Sequence, residues 1–164
     1  MKKLLFFILA FILVNCNGGI EPGLQQPGFS GTIYFKGEWP DSVNLTILVL
    51  FKNELKDSSD FSAENLSYVS ELIPKGVKKY QYNTLKNSLF GKVDAGTYDY
   101  LAVAQSPKKT ISLSRADWTI AGIYYSPTDS THPGKVIIPE NTFVEHLDIT
   151  CDFNNPPPQP PGGN

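Results

Sequence analysis

The chain has 164 residues, with 14 Lys and Arg against 16 Asp and Glu, and its formal net charge is −2 at pH 7. This length suits one domain with a sizeable hydrophobic core. Because no stretch concentrates basic side chains, the sequence argues against binding to nucleic acid or to anionic lipid head groups, which both depend on clustered Lys and Arg.

Residues 1–15 are typical of an export signal. Lys2 and Lys3 precede an unbroken apolar run from Leu4 to Val14. The run is short for a membrane-spanning helix and has the length of the apolar region of a signal peptide. It ends at Cys16 without the small-x-small pattern of an ordinary cleavage site. The residues alone leave open an uncleaved membrane anchor or a secreted protein with an unrelated cysteine.

The stretch Leu13-Val14-Asn15-Cys16 resembles the lipobox of bacterial lipoproteins, although Asn15 stands where that family commonly has Gly, Ala or Ser. The resemblance implies cleavage before Cys16, diacylation of its thiol by chains such as palmitate, and frequent acylation of the new amino terminus. Two or more acyl chains anchor a protein stably, so the membrane is the expected partner. Asn17 rather than Asp follows the cysteine, which implies the outer membrane of a double-membrane bacterium.

Two segments of low complexity flank the expected domain. Residues 16–28 are rich in Gly, Pro and Gln and predict a flexible tether. Residues 154–164 contain five prolines and close on Gly162-Gly163-Asn164. Proline lacks a backbone donor and favours extended polyproline geometry, so we expect an exposed, disordered tail that joins no sheet. A proline motif that binds a partner is the alternative.

Between these segments, residues 29–153 are dominated by apolar alternation at period two, which predicts strands. The second strand carries apolar residues on both faces in its second half, as a central buried strand does. Turn residues separate seven or eight such strands, which predicts a single antiparallel β-sandwich in an all-β chain. The strands are predicted at 29–36, 43–51, 66–73, 79–84, 97–104, 118–125, 135–138 and 143–153.

Within the stretch 89–103, Gly96 stands immediately before an alternating strand that begins with Thr97 and Tyr98. This arrangement resembles the glycine–tyrosine signature of transthyretin-like domains, a group that includes carboxypeptidase regulatory-like modules. The resemblance covers roughly residues 29–153 and implies a transthyretin-like sandwich in which the glycine permits a turn. An immunoglobulin-like topology is the alternative.

Residue types that carry chemistry are sparse. His132 and His146 have no second His or Cys at metal-ligand spacing, and no nucleophile elbow frames a serine. We therefore expect no metal, no cofactor and no enzymatic activity. Cys151 shares the apolar face of the last predicted strand, so we expect a buried, unreactive thiol. If lipid occupies Cys16, the domain folds without an internal disulfide.

Aromatic residues give the remaining functional hint. Exposed Trp and Tyr rings often serve sugar-binding sandwiches as stacking platforms, and the candidates for such ligand binding are Trp118, Tyr125 and Trp39. Two hypotheses follow. The first is a non-catalytic, membrane-anchored envelope lipoprotein whose sandwich serves adhesion, assembly or structural support. The second is a ligand-binding module for glycans. The fold does not decide between them, because function resides in sites placed on folds.

Overall fold

A computed structural model describes residues 23–163. These residues form an all-β domain with two short 3-10 turns, Ser58–Asp60 and Arg115–Asp117, and no α-helix. The described part has thirteen strand segments: β1 (Gly28–Lys36), β2 (Leu45–Phe51), β3 (Leu66–Ser70), β4 (Lys79–Asn83), β5 (Ser88–Phe90), β6 (Gly96–Tyr98), β7 (Tyr100–Ser106), β8 (Thr119–Ile123), β9 (Tyr125–Ser126), β10 (Asp129–Pro133), β11 (Val136–Ile138), β12 (Phe143–Val144) and β13 (Ile149–Asp152).

No helix within residues 23–163 is long and apolar enough to cross a membrane.

The larger sheet has five antiparallel strands in the order β5-β3-β2-β7-β8. Its two central strands, β2 and β7, pair along their whole length, from Leu45 opposite Ser106 to Phe51 opposite Tyr100. Every residue of both strands is buried. The prediction of a central strand that is buried on both faces is therefore confirmed, and the burial extends over all of β2.

The second sheet is built around β1. Strand β4 pairs with it in antiparallel fashion on one side, whereas β12 and β13 pair with it in parallel on the other. The predicted all-β sandwich is confirmed, and the parallel pairing at this edge is a local departure from the antiparallel arrangement predicted with it. Parallel neighbours need a long crossover, and here most of the domain, from residue 37 to 142, lies between the paired strands.

The last predicted strand, 143–153, is divided into β12 and β13 by residues 145–148. His146 has a φ of 65° and so leaves the extended conformation. The interruption is hydrogen-bonded to β1: Leu147 N donates to Ser30 O at 3.0 Å, and Asp148 Oδ1 accepts from Thr32 N at 2.7 Å. The Asp148 carboxylate thus replaces a backbone carbonyl as the partner of β1.

The predicted strand 97–104 is likewise divided, at Asp99, between two sheets. Strand β6 pairs with β11, and β7 pairs with β2 and β8. Asp99 N donates to Lys52 O at 3.2 Å at the point of transfer. The Tyr98 side chain after the glycine is buried, and its hydroxyl donates to Asp94 O at 3.0 Å.

The main core lies between the two sheets. Phe29 of β1 is fully buried there and makes edge-on ring contacts with Tyr68 and Tyr82, at centroid distances of 6.2 and 5.8 Å. Gly122 of β8 lies against Cys151 of β13 where the edges of the two sheets approach each other. A second apolar cluster lies on the opposite face of the five-stranded sheet, which we call the outer face.

Candidate functional site

Loops and the C-terminal segment cover the outer face of the five-stranded sheet. Its apolar cluster draws on Val49, Phe51, Ala102 and Ile120 from the strands. The cover consists of the loop that includes Phe61, the loop of residues 107–118, and the C-terminal segment. A buried outer face explains why β2 and β7 are apolar on both sides.

An apolar cavity of about 40 Å³ opens between the two covering loops. Val49 and Ala104 form part of its floor, and Phe61, Ile111 and Leu113 stand at its walls. Ile111 and Leu113 are 46% and 68% exposed, so apolar side chains project into solvent beside an apolar recess. This arrangement can hold a small apolar side chain by the hydrophobic effect.

The C-terminal segment Pro156–Gly163, called here the proline strap, lies against the edge strand β8. The Gln159 amide binds both backbone groups of one residue: its Oε1 accepts from Ile120 N at 2.7 Å, and its Nε2 donates to Ile120 O at 2.9 Å. The strap was expected to be an exposed, disordered tail. In the structure the segment is docked, and the Gln159 side chain supplies the donor that proline backbone lacks together with an acceptor beside it.

Arg115 holds the next residue of the strap. Its Nη2 donates to Pro160 O at 2.8 Å, and its Nη1 donates to Trp118 O. The guanidinium carbon lies 5.9 Å from the ring centre of Phe61. Burial lowers the pKa of the Arg115 guanidinium from its ordinary value, but an arginine remains charged at any physiological pH. Pro160 is itself buried beneath these contacts.

Two buried polar atoms beneath the strap lack hydrogen-bond partners among the described residues: the Tyr100 hydroxyl and Arg115 Nε. Tyr100 is 4% exposed, and burial raises the pKa of its phenol well above the ordinary value. It lines a recess of about 240 Å³ together with Tyr125 and the strap residues Gln159 and Pro160. The strap therefore lies over an aromatic surface with unused hydrogen-bonding capacity.

A second, polar groove of about 770 Å³ runs beside the first residues of the strap. Tyr125 lies at one side of it, and Asp148, Thr150, Asp152 and Asn155 supply carboxylate, hydroxyl and amide groups. Such groups can hydrogen-bond the hydroxyls of a polyol, and a half-buried tyrosine can contact a sugar ring.

The three aromatic residues singled out from the sequence lie apart. Trp118 is 4% exposed within the outer cluster, and its Nε1 donates to Ser112 O at 2.8 Å. Trp39 is half-buried at the opposite face of the sheet, with its ring centre 4.6 Å from that of Phe35. Tyr125 alone borders the polar groove. The structure assembles no flat aromatic strip from these three residues.

The two cysteines differ in what the structure describes. Cys16, the expected lipidation site, lies outside the described residues. Cys151 is fully buried and free, which confirms its predicted burial. Burial raises the pKa of its thiol to about 12, so the reactive thiolate is scarce at neutral pH.

The exposed β9–β10 hairpin brings a hydroxyl, an imidazole and a carboxylate together. His132 Nδ1 lies 2.8 Å from Thr131 Oγ1 and 3.1 Å from Asp129 Oδ2. In a nucleophile–base–acid relay, the hydroxyl and the carboxylate contact different nitrogens of the ring. Here one nitrogen faces both groups, so this geometry supports a surface turn. Within residues 23–163, no three His, Cys, Asp or Glu side chains are placed to hold a metal ion.

Sequence reasoning missed Gln159 and Arg115, the residues that hold the strap. Arg115 carries a signal, because a charged residue directly before an apolar strand can be buried with its polar partners. Gln159 carries a clearer one. Three prolines precede it and two follow it, so within that run it alone can use a side-chain amide to pair with a strand edge.

Comparison of the chain with protein-family models, with curated proteins and with solved structures finds no match. The transthyretin-like topology therefore stays a prediction, and the function must be argued from the residues.

Proposed function

We propose that the protein is a lipid-anchored protein of a bacterial cell envelope, placed in the outer membrane, whose β-sandwich serves adhesion or assembly without catalysis. The observation that carries this proposal is the lysine-led apolar run that ends at Leu13-Val14-Asn15-Cys16. Eleven residues, 17–27, separate Cys16 from the start of β1. A tether of that length reaches at most about 40 Å, so the anchor would keep the domain close to its membrane.

A role in protein contacts draws support from the outer face. Ile111 and Leu113 project beside the apolar cavity, and apolar side chains next to an apolar recess are typical of protein–protein contact surfaces. The occupant we propose is an apolar side chain on an envelope protein.

Mass spectrometry of the mature protein, made in a bacterium that processes lipoproteins, tests the anchor. We expect acylated Cys16 as the first residue and membrane association of the wild-type chain. Cys16→Ser is the matched control and should lose both the acyl mass and the membrane association. A wild-type product that is soluble and begins at another residue would refute the anchor.

Site-specific photo-crosslinking in cells tests the contact surface. A photoreactive residue at position 113 should give discrete adducts that Ile111→Asp diminishes. The same residue at exposed Thr131, on the hairpin, should not give those adducts. Equal adducts at both positions would show that the loop of residues 107–118 has no preferred contact.

The polar groove favours a second candidate function, glycan binding. Tyr125 borders a groove that carries hydroxyl, amide and carboxylate groups, whereas the burial of Trp118 withdraws that ring from any such role. Titration of the protein with envelope-type oligosaccharides, followed by NMR, should shift resonances of Thr150 and Asn155. Tyr125→Ala should abolish the shifts and Tyr34→Ala, at another exposed tyrosine, should not. Unchanged spectra would exclude this candidate.

A further inference from the structure

The contacts of the proline strap use chemistry that does not depend on the strap being part of the same chain. The Gln159 side chain hydrogen-bonds the backbone of Ile120 on the edge strand, and Arg115 donates to the backbone carbonyl of Pro160. The strap residues Pro158 and Pro160 border Tyr100 and Tyr125. Domains that bind proline-rich segments use this combination of an aromatic surface and a few polar contacts to carbonyls.

The strap is joined to β13 by a short surface turn. Asn154 N donates to Asp152 Oδ1 at 3.0 Å, and Asn155 N donates to Asp152 O at 3.1 Å. Three consecutive prolines, 156–158, follow the turn. Exchange of a terminal segment across a short hinge forms the same contacts between two chains as within one, and is a low-cost route to association.

The strap makes a limited set of contacts with its site and leaves two polar groups of that site unused. The Tyr100 hydroxyl and Arg115 Nε stay unpartnered among the described residues while the strap is in place. The strap binds through two glutamine hydrogen bonds, one arginine hydrogen bond, the burial of Pro160 and the close approach of Gly162 to Ser58 and of Gly163 to the Arg115 guanidinium. This small contact set can be released without unfolding the sheets, because local segments with few buried contacts open at low free energy.

We propose that the surface formed by β8, Arg115, Tyr100 and Tyr125 is a binding site for proline-rich segments, and that the strap of a second copy occupies it. Copies of the protein are then linked by reciprocal exchange of their straps. The proposal does not depend on the lipid at Cys16. Because exchange conserves the contacts, it requires only that copies be concentrated enough to offset the loss of translational freedom.

A peptide-binding experiment on the full chain in detergent tests the site. A fluorescent peptide with residues 154–163 is titrated into the wild type and into Gln159→Ala/Pro160→Ser, whose own strap cannot dock. A tethered strap competes at an effective concentration on the order of millimolar. We therefore expect the double variant to bind the peptide at least about tenfold more tightly than the wild type does. A peptide carrying Gln159→Ala should bind weakly to both proteins.

Co-isolation of two differently tagged copies tests the occupant and also serves if the double variant does not fold. Wild-type copies should co-isolate, and Gln159→Ala in both copies should reduce the recovery several-fold. The wild type and the variant have the same N-terminus, so any co-isolation that comes only from shared detergent micelles should be equal for both. A folded double variant that gains no peptide binding would overturn the site. Recovery unaffected by Gln159→Ala, or equal binding of an unrelated polyproline peptide, would overturn the second copy as the occupant.

Discussion

A methyl group added at Gly122 should strain the point where the two sheets meet at their edges. Gly122 is buried in β8, and an ideal Cβ there would lie 2.6 Å from Cys151 Sγ, 2.9 Å from Thr150 O and 3.0 Å from Ile149 Cγ2. Ordinary contacts of a Cβ atom begin near 3.4 Å. Strands β8 and β13 would therefore have to separate. Overpacking of this kind costs about 1 to 3 kcal/mol of unfolding free energy.

A second substitution, at Cys151, measures how much of the free-energy cost of Gly122→Ala comes from the clash with the Cys151 sulfur. Cys151→Ala removes the sulfur atom, and alone it should cost about 1 kcal/mol for the small cavity that it leaves. In the Gly122→Ala/Cys151→Ala variant the added methyl group occupies the space of the missing sulfur. Because Thr150 O is backbone and remains in place, we expect partial rescue, with a favourable coupling free energy of about 1 kcal/mol.

Urea unfolding of the full chain, followed by tryptophan fluorescence, measures each free energy. Thr119→Ala is the control, because Thr119 is an exposed residue of the same strand, and it should stay within about 0.5 kcal/mol of the wild type. If the costs of Gly122→Ala and Cys151→Ala add within about 0.3 kcal/mol, the two residues do not share the contact and the argument fails.

Three further predictions concern separate parts of the domain. Gly91 has a φ of 79°, and an added Cβ would lie 2.1 Å from Ser67 O, so Gly91→Ala should lower the unfolding free energy by about 2 to 4 kcal/mol; an unchanged urea midpoint would contradict this. Tyr82→Phe removes the bond from the hydroxyl to buried Leu147 O at 2.5 Å and should cost about 1 to 3 kcal/mol in the same assay. Bonds from the neighbouring Thr and His side chains lower the pKa of Asp129 to about 2. The stabilisation from these bonds should be present above the pKa of an unfolded Asp and should be lost as the pH falls towards 2. An NMR titration of the Asp129 carboxyl with a midpoint near 4 would contradict this.

The strands that the sequence predicted correctly are those whose apolar pattern agrees with their pairing in the sheets. Strands β1 and β2 begin and end within two residues of their predicted bounds, because alternation and a continuous apolar run each require a defined set of buried faces. The interruption at residues 145–148 was not predictable in this way. It depends on the carboxylate of Asp148 and on a left-handed φ at His146. Neither feature is visible in the apolar pattern, in which Leu147 and Ile149 recur at period two.

The candidate site was harder to predict than the fold, because alternation fails at a shift in strand register and because both faces of the larger sheet are covered. Strict alternation along the predicted strand 118–125 puts Trp118 and Tyr125 on opposite faces, which favours one exposed aromatic ring. Both lie in or against the outer cluster, because the register between β7 and β8 shifts by one residue between Ile120 and Gly122. An extra residue of this kind reverses the alternation beyond it. Which side of a sheet receives a third layer is decided by contacts distant in sequence, and Arg115 with Pro160 is one of them.

The proline strap covers the open edge of β8 without adding a strand to the sheet. An open edge strand such as β8 invites pairing with another chain, and a strand that covered this edge would expose its own outer edge in turn. Proline residues cannot continue the ladder. Gln159 satisfies Ile120 through its side chain, so the sheet ends there while the strap stays docked. Composition correctly predicts that this segment forms no strand and that most of its residues are exposed. It does not predict docking, because one amide side chain and one buried arginine are sufficient to hold the segment in place.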